Sequence, residues 1–187
     1  MVVDYFSLVL TLGVFAVGLT TIVSAVGFLL SPTLREKLTE INYFTYVRVI
    51  ALLALIATLS VLTYQFIFGL QVCSLCWWQR IFMFPIEIVL GVALYFKSRT
   101  DHVAVAILSV IGACIALYHY ADHFRSFVLG EASSLPCPAT GLTPSCSDSV
   151  VLVFGFVTIP FMALVIFLSI LWLCFLAHRV RAKERVY

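Results

Sequence analysis

Charge is what this chain has least of. Lys, Arg, Asp and Glu together make up 11% of its 187 residues, against 63% hydrophobic and 14% aromatic, a balance far more apolar than a soluble domain of this size shows. Nothing in it suggests a water-soluble domain, a nucleic-acid surface or an internal repeat, and a net charge of +2 is too small to argue from. The opening "MVVDYFSLVL" lacks the basic start of a signal peptide, carries Asp4 instead, and leads into an apolar run too long for one. It reads as a membrane helix.

What is present is hydrocarbon-compatible sequence. Crossing a core of about 30 Å takes about 20 helical residues, and five runs serve: 6–30, 49–70, 81–96, 103–120 and 150–177. The third reaches spanning length only if its helix begins near Trp77 or Trp78, where indoles belong at the interface. The thiol pair of "QVCSLCWWQR" then touches the membrane surface. The expectation is an all-α, multi-pass integral membrane protein.

Basic residues fall on one side of these spans: Arg35, Lys37 and Arg48, then Lys97 and Arg99, then Arg179, Arg181, Lys183 and Arg185. By the positive-inside rule that side is cytoplasmic. The other side receives the Cys73/Cys76 segment and the loop 121–149 with Cys137 and Cys146. Two spans separate the pairs, so both face one compartment, the oxidising one if the orientation holds. Cys114 and Cys174 fall inside spans, where a small buried apolar residue is the plain expectation.

A CxxC at the start of a helix has a physical use, because the helix N-terminus and a nearby guanidinium favour the reactive thiolate. Cys76 and Arg80 are four residues apart, one turn on a shared face if the helix already includes Cys76; the bland alternative is an arginine that snorkels to head groups. In "SSLPCPATGLTPSCSDS", Pro136 and Pro138 bracket Cys137 and bias it towards an extended form that could enter a partner's groove. Cys146 could close a short loop back to Cys137, and a static staple is the alternative. Upstream, "ADHFRSFVLGE" has the spacing of a short helix lying in the interface.

Haem attachment fails because Trp77 stands where CxxCH needs histidine, and a closed zinc site lacks two-by-two knuckle spacing. Thiol-disulfide exchange between two pairs fits best. Immersion in a membrane then suggests a lipid-soluble electron acceptor such as a quinone, for which Arg80, His119 and His123 are donors in the right layer. Trp77, Trp78, Tyr118 and Tyr120 could form walls or simply an interfacial belt. Glu87, an ionisable group inside a span, is left without a role. Pro85 and Pro160 lie in spans, where neighbours can satisfy the carbonyls they free.

"CSLCWWQR" opening a span, "LYHY" ending the next, and "PCPATG" followed by "SCS" resemble the DsbB family of disulfide bond formation proteins, especially the short BdbC type, over about residues 45–177. The resemblance implies a four-helix bundle, here with one extra N-terminal transmembrane helix. Residues 1–44 would be that helix and a cytoplasmic linker; residues 45–187 would be the bundle, with external loops 71–79 and 121–149 and a basic cytoplasmic tail. It implies reoxidation of a DsbA/BdbD-like thioredoxin-fold thiol oxidase in a bacterial inner (cell) membrane, with the redox cysteines on the extracytoplasmic face. Electrons pass to the quinone pool, ubiquinone or menaquinone. Cys137 would be attacked by the partner and Cys146 would resolve; Cys73 and Cys76 would take the electrons, with Cys76 meeting the quinone beside Arg80 and His119, and Trp77 as a wall.

Three rivals differ in sequence features. A reductant exporter needs thiols open to the cytoplasmic side, where only Cys114 and Cys174 could serve. A vitamin K epoxide reductase-like enzyme usually has the loop pair before the CxxC, the reverse of the order here. A non-catalytic scaffold with structural disulfides or zinc would lose stability, not turnover, when Cys73 and Cys76 are replaced.

Overall fold

A computed structural model of the chain describes residues 2–98, 102–130 and 151–184. It is built of helices: α1 (Val2–Leu30), α2 (Pro32–Glu40), α3 (Tyr43–Leu62), α4 (Ser74–Phe96), α5 (His102–Val128) and α6 (Ile159–Glu184). All but α2 are long and apolar enough to cross a membrane, α3 together with the turn that extends it to Ile67. Large apolar side chains such as Leu19, Ile88 and Ile107 point outwards, as a lipid-facing surface requires, since helices satisfy their own backbone there.

Local chemistry sets the ends. Ser31 caps α2, accepting from the Leu34 N–H at 3.3 Å, with Pro32 in the first turn. Asn42 caps α3 through Phe44 N–H at 2.8 Å, so that helix begins six residues before the expected 49. α3 then widens into a π-helical turn, Thr63–Ile67, and stops where Gly69 adopts φ +68. α4 starts at Ser74, so the thiol pair sits at its N-terminus.

Two sequence expectations are corrected. The last span was expected from 150, yet α6 begins at Ile159; residues 151–158 hold a tight turn in which Val153 and Val157 exchange both backbone bonds at 2.9 Å, with Phe154 (φ 54) and Gly155 (φ 78) left-handed. The run is apolar because Val151 and Val157 pack against Tyr64 and Met162, not because it spans. Nor is there a separate helix after Ala121: α5 continues unbroken to Val128.

Helices α3 to α6 form a bundle in which α4 lies between α3 and α5, and α6 closes the ring against both. α1 leans on the outside of α6. At the end away from the thiols, the Tyr43 hydroxyl meets His102 Nδ1 at 3.2 Å and His102 Nε2 meets His178 Nδ1 at 3.2 Å, tying α3, α5 and α6. Where α5 crosses α6, a Cβ on Gly112 would collide with the buried Phe167 ring. Gly112→Ala is therefore expected to cost about 1–3 kcal/mol by overpacking, read as a lower unfolding temperature in detergent. An unchanged temperature would mean the two helices separate freely.

Candidate functional site

Cys73 is the N-cap of α4, and its sulfur accepts from the Cys76 N–H at 3.5 Å. A thiolate there gains from the unsatisfied amides and the helix dipole. The Cys76 sulfur lies 3.3 Å from that of Cys73. Because the helix includes Cys76, the expected one-turn relation to Arg80 holds.

Behind Cys73, α5 presents the buried His119, with Nε2 3.9 Å from the sulfur and Nδ1 3.1 Å from Gln79 Nε2. An amide donor on Nδ1 leaves that nitrogen as acceptor and puts the ring proton on Nε2, towards Cys73. His119 is thus set to donate to a Cys73 thiolate. His123, also buried, packs its ring 4.6 Å from that of His119.

Arg80 is buried, although it is a cation in a membrane helix. Its guanidinium donates to Gln65 Oε1 and, at 3.2 Å, to the Val61 carbonyl, and it lies 5.3 Å over the Trp77 ring. Gln65 sits in the π-helical turn, the kind of irregularity that re-aims side chains at functional sites. Two neutral acceptors occupy only part of a five-donor group, so the charge can still act on a ligand oxygen.

A cavity of about 380 Å³ opens beside this group, with Cys76, Gln79, Arg80 and Gln65 at its polar end. The rest of its wall is almost wholly apolar and includes Phe84, Met83 and Phe167. The buried Thr58 hydroxyl also lines it and has no hydrogen-bond partner among the described residues. Such a cavity suits a flat apolar molecule bearing acceptor oxygens.

Cys73, Cys76, Arg80 and His119 therefore converge. Trp77 stacks with Arg80 but is 45% exposed and does not line the cavity. Trp78, Tyr118 and Tyr120 do not line it either; Phe84, Tyr64 and Phe167 are its aromatic lining. Cys114 is exposed on α5, against the expectation of burial, whereas Cys174 is buried. Half-buried Glu87 leaves Oε1 without a hydrogen-bond partner among the described residues and lies outside the cavity. Cys137 and Cys146 lie outside the described residues. The flanking Val151 is packed in the same cluster as Leu70, just before the thiol pair. Gln65 and Gln79 were missed by sequence reasoning.

Cys73, Cys76 and His119 also bring three ligand atoms within 4.8 Å of one another, a set that could hold a thiophilic cation such as Zn²⁺.

A family model described as "Disulfide bond formation protein DsbB" matches residues 44–177. A "Probable disulfide formation protein C 1" of Bacillus cereus is 41% identical over 137 residues, 73% of this chain and 91% of that protein. "Disulfide bond formation protein C" of Bacillus subtilis is 38% identical over 124 residues, 66% of this chain and 86% of that protein. A "Probable disulfide formation protein" of Metapseudomonas resinovorans is 40% identical over 131 residues, 68% of this chain and 85% of that protein. No solved structure matches the chain.

Proposed function

The chain belongs to the DsbB family of disulfide bond formation proteins, multi-pass membrane oxidoreductases, and from that premise we propose that it is a protein dithiol:quinone oxidoreductase. It takes two electrons from a thioredoxin-fold thiol oxidase and delivers them to a quinone, on the extracytoplasmic side of a bacterial inner membrane. The observation that carries this reading is the apolar cavity with Cys76 and Arg80 at its polar end.

The steps balance as exchange reactions. A thiolate of the reduced partner attacks Cys137 in a Cys137–Cys146 disulfide, forming a mixed disulfide and releasing the Cys146 thiolate. The partner's second thiolate then displaces Cys137, so the partner leaves oxidised and the loop pair reduced. That dithiol reduces a Cys73–Cys76 disulfide by the same chemistry. A quinone, when bound, would supply the sink for the two electrons and two protons that the Cys73/Cys76 dithiol gives up as its disulfide re-forms.

The chain's own groups hold the charges during this passage. Arg80 is placed to hold a carbonyl oxygen and to favour anionic sulfur at Cys76. His119 Nε2–H steadies a thiolate at Cys73, and Gln79 fixes the tautomer. The largely apolar lining keeps the Cys76 side of the cavity poor in groups that would hold water.

The test is catalytic loss of quinone absorbance when purified protein in detergent meets a reduced thioredoxin-fold oxidase. Turnover dependent on Cys137 supports the reading, and none across several quinones and partners would refute it. The three-ligand cluster favours a second reading, a structural zinc site. On the relay reading EDTA is expected to leave both turnover and unfolding temperature unchanged; a fall in that temperature on chelation would transfer the weight to zinc.

A further inference from the structure

α1 lies outside the segment that the family model matches, yet it builds part of the cavity. Val9, Leu10, Gly13, Val14 and Val17 are part of its lining. On α3 the lining runs from Leu53 to Val61 and on to Gln65, about 18 Å at 1.5 Å per residue. The space is therefore long, polar near the sulfurs and apolar further into the bundle.

α1 is held there by ring contacts of Phe6 with Tyr64 and of Phe28 with Trp172, and by small and hydroxylated residues between them. Thr21 Oγ1 donates to Ser169 Oγ at 3.0 Å, Trp172 Nε1 donates to Ser24 Oγ at 2.8 Å, and the Tyr64 hydroxyl donates to Ser7 Oγ at 2.8 Å. A Cβ on Gly18 would come within 3.2 Å of Val165. Small residues and interhelical hydroxyl bonds are what fix helix pairs in lipid. Gly13 is different: a Cβ there would meet nothing within 4 Å, and the residue, though exposed, is part of the cavity lining. Its missing side chain leaves open space at the edge of the site.

We propose that α1 is the tail wall of the quinone site, receiving the first part of an isoprenoid chain along Val9 to Val17, with Gly13 setting how bulky a tail is accepted. The buried Thr58 hydroxyl, in this lining and unpartnered among the described residues, supplies a hydrogen bond to a polar ring substituent at the head end of that chain. A site bounded by α3, α4 and α6 alone would stand open on the α1 side; α1 makes it a chamber with preference among quinones. The proposal rests on the quinone reading above. Wild-type protein that binds no quinone fails that reading, whereas protein that binds quinone without regard to α1 fails this one.

The test is equilibrium binding, read by quenching of tryptophan fluorescence, with a short-chain isoprenoid quinone and a ring analogue lacking the tail. Gly13→Leu is expected to weaken binding of the tailed quinone by about tenfold or more and leave the tail-less analogue within about twofold. Gly91→Leu, on an exposed part of α4 with equally open space and outside the cavity, is expected to change neither. Equal affinities for both quinones in Gly13→Leu and wild type would overturn the proposal. Should Gly13→Leu fail to fold, wild-type protein decides: a photoreactive group on the first isoprene unit is expected to label residues 9–17. Labelling confined to other helices would overturn it.

Discussion

Arg80→Ala is expected to raise the KM for quinone by about 10- to 100-fold while leaving attack of the partner on Cys137 unchanged. A hydrogen bond to a charged group is worth about 1.5–3 kcal/mol, and each 1.4 kcal/mol is tenfold. Arg80 is the guanidinium lining the cavity beside Cys76, so its loss removes the charged donor from the polar end. The truncation also leaves Gln65 Oε1 and the Val61 carbonyl without their donor, which adds to the loss rather than offsetting it. Arg80→Lys retains charge but not the fork and should fall between. Steady-state quinone titration with an independent assay of mixed-disulfide formation separates the two effects. A KM within twofold of wild type would move the quinone away from Arg80.

Cys76→Ser is expected to abolish catalytic quinone reduction, by a factor of at least about 10³, without unfolding the protein. The residue is half-buried, and oxygen in place of its sulfur removes little packing. The distinguishing feature is the stoichiometry. Without a Cys73–Cys76 disulfide to receive electrons, the loop pair can oxidise the partner once and then stops. Rapid quenching should therefore show about one partner oxidised per variant molecule, with no quinol. Continued turnover would mean that another group passes the electrons.

The sequence made the CxxC, Arg80 and His119 legible for reasons that hold without any tertiary information. Cys73, Cys76 and Arg80 share one helix, so spacing alone relates them. His119 and His123 were found because polar residues ending an apolar span are conspicuous, and the family resemblance singled out His119. Gln65 and Gln79 were not, since an amide inside a span looks the same whether it faces lipid or a partner. Their roles depend on α5 crossing α4 and on a π-helical turn that no residue pattern announces.

Helix faces were the other blind spot. When every face is apolar, periodicity does not tell inside from outside, so Cys114 was expected to be buried and is exposed. The aromatics beside the thiols could be read as walls or as an interfacial belt, and periodicity did not choose between these; Trp77 stacks on Arg80, while Phe84 and Tyr64 line the cavity. Hydropathy likewise extended the last span through 151–158, where apolar side chains serve a packed turn. The five spans, by contrast, were visible because composition alone decides them.

The most direct measurement is an anaerobic single turnover. Protein reduced at all its redox thiols, with Cys137 and Cys146 replaced by serine, is mixed with quinone, and quinol formed is counted against thiols lost. Two thiols lost per quinol, both assigned to Cys73 and Cys76 by peptide mapping, with no reaction in the further Cys76→Ser variant, is the expected result. Quinol without loss of those thiols, or loss of thiols without quinol, would contradict electron transfer from this pair to a quinone.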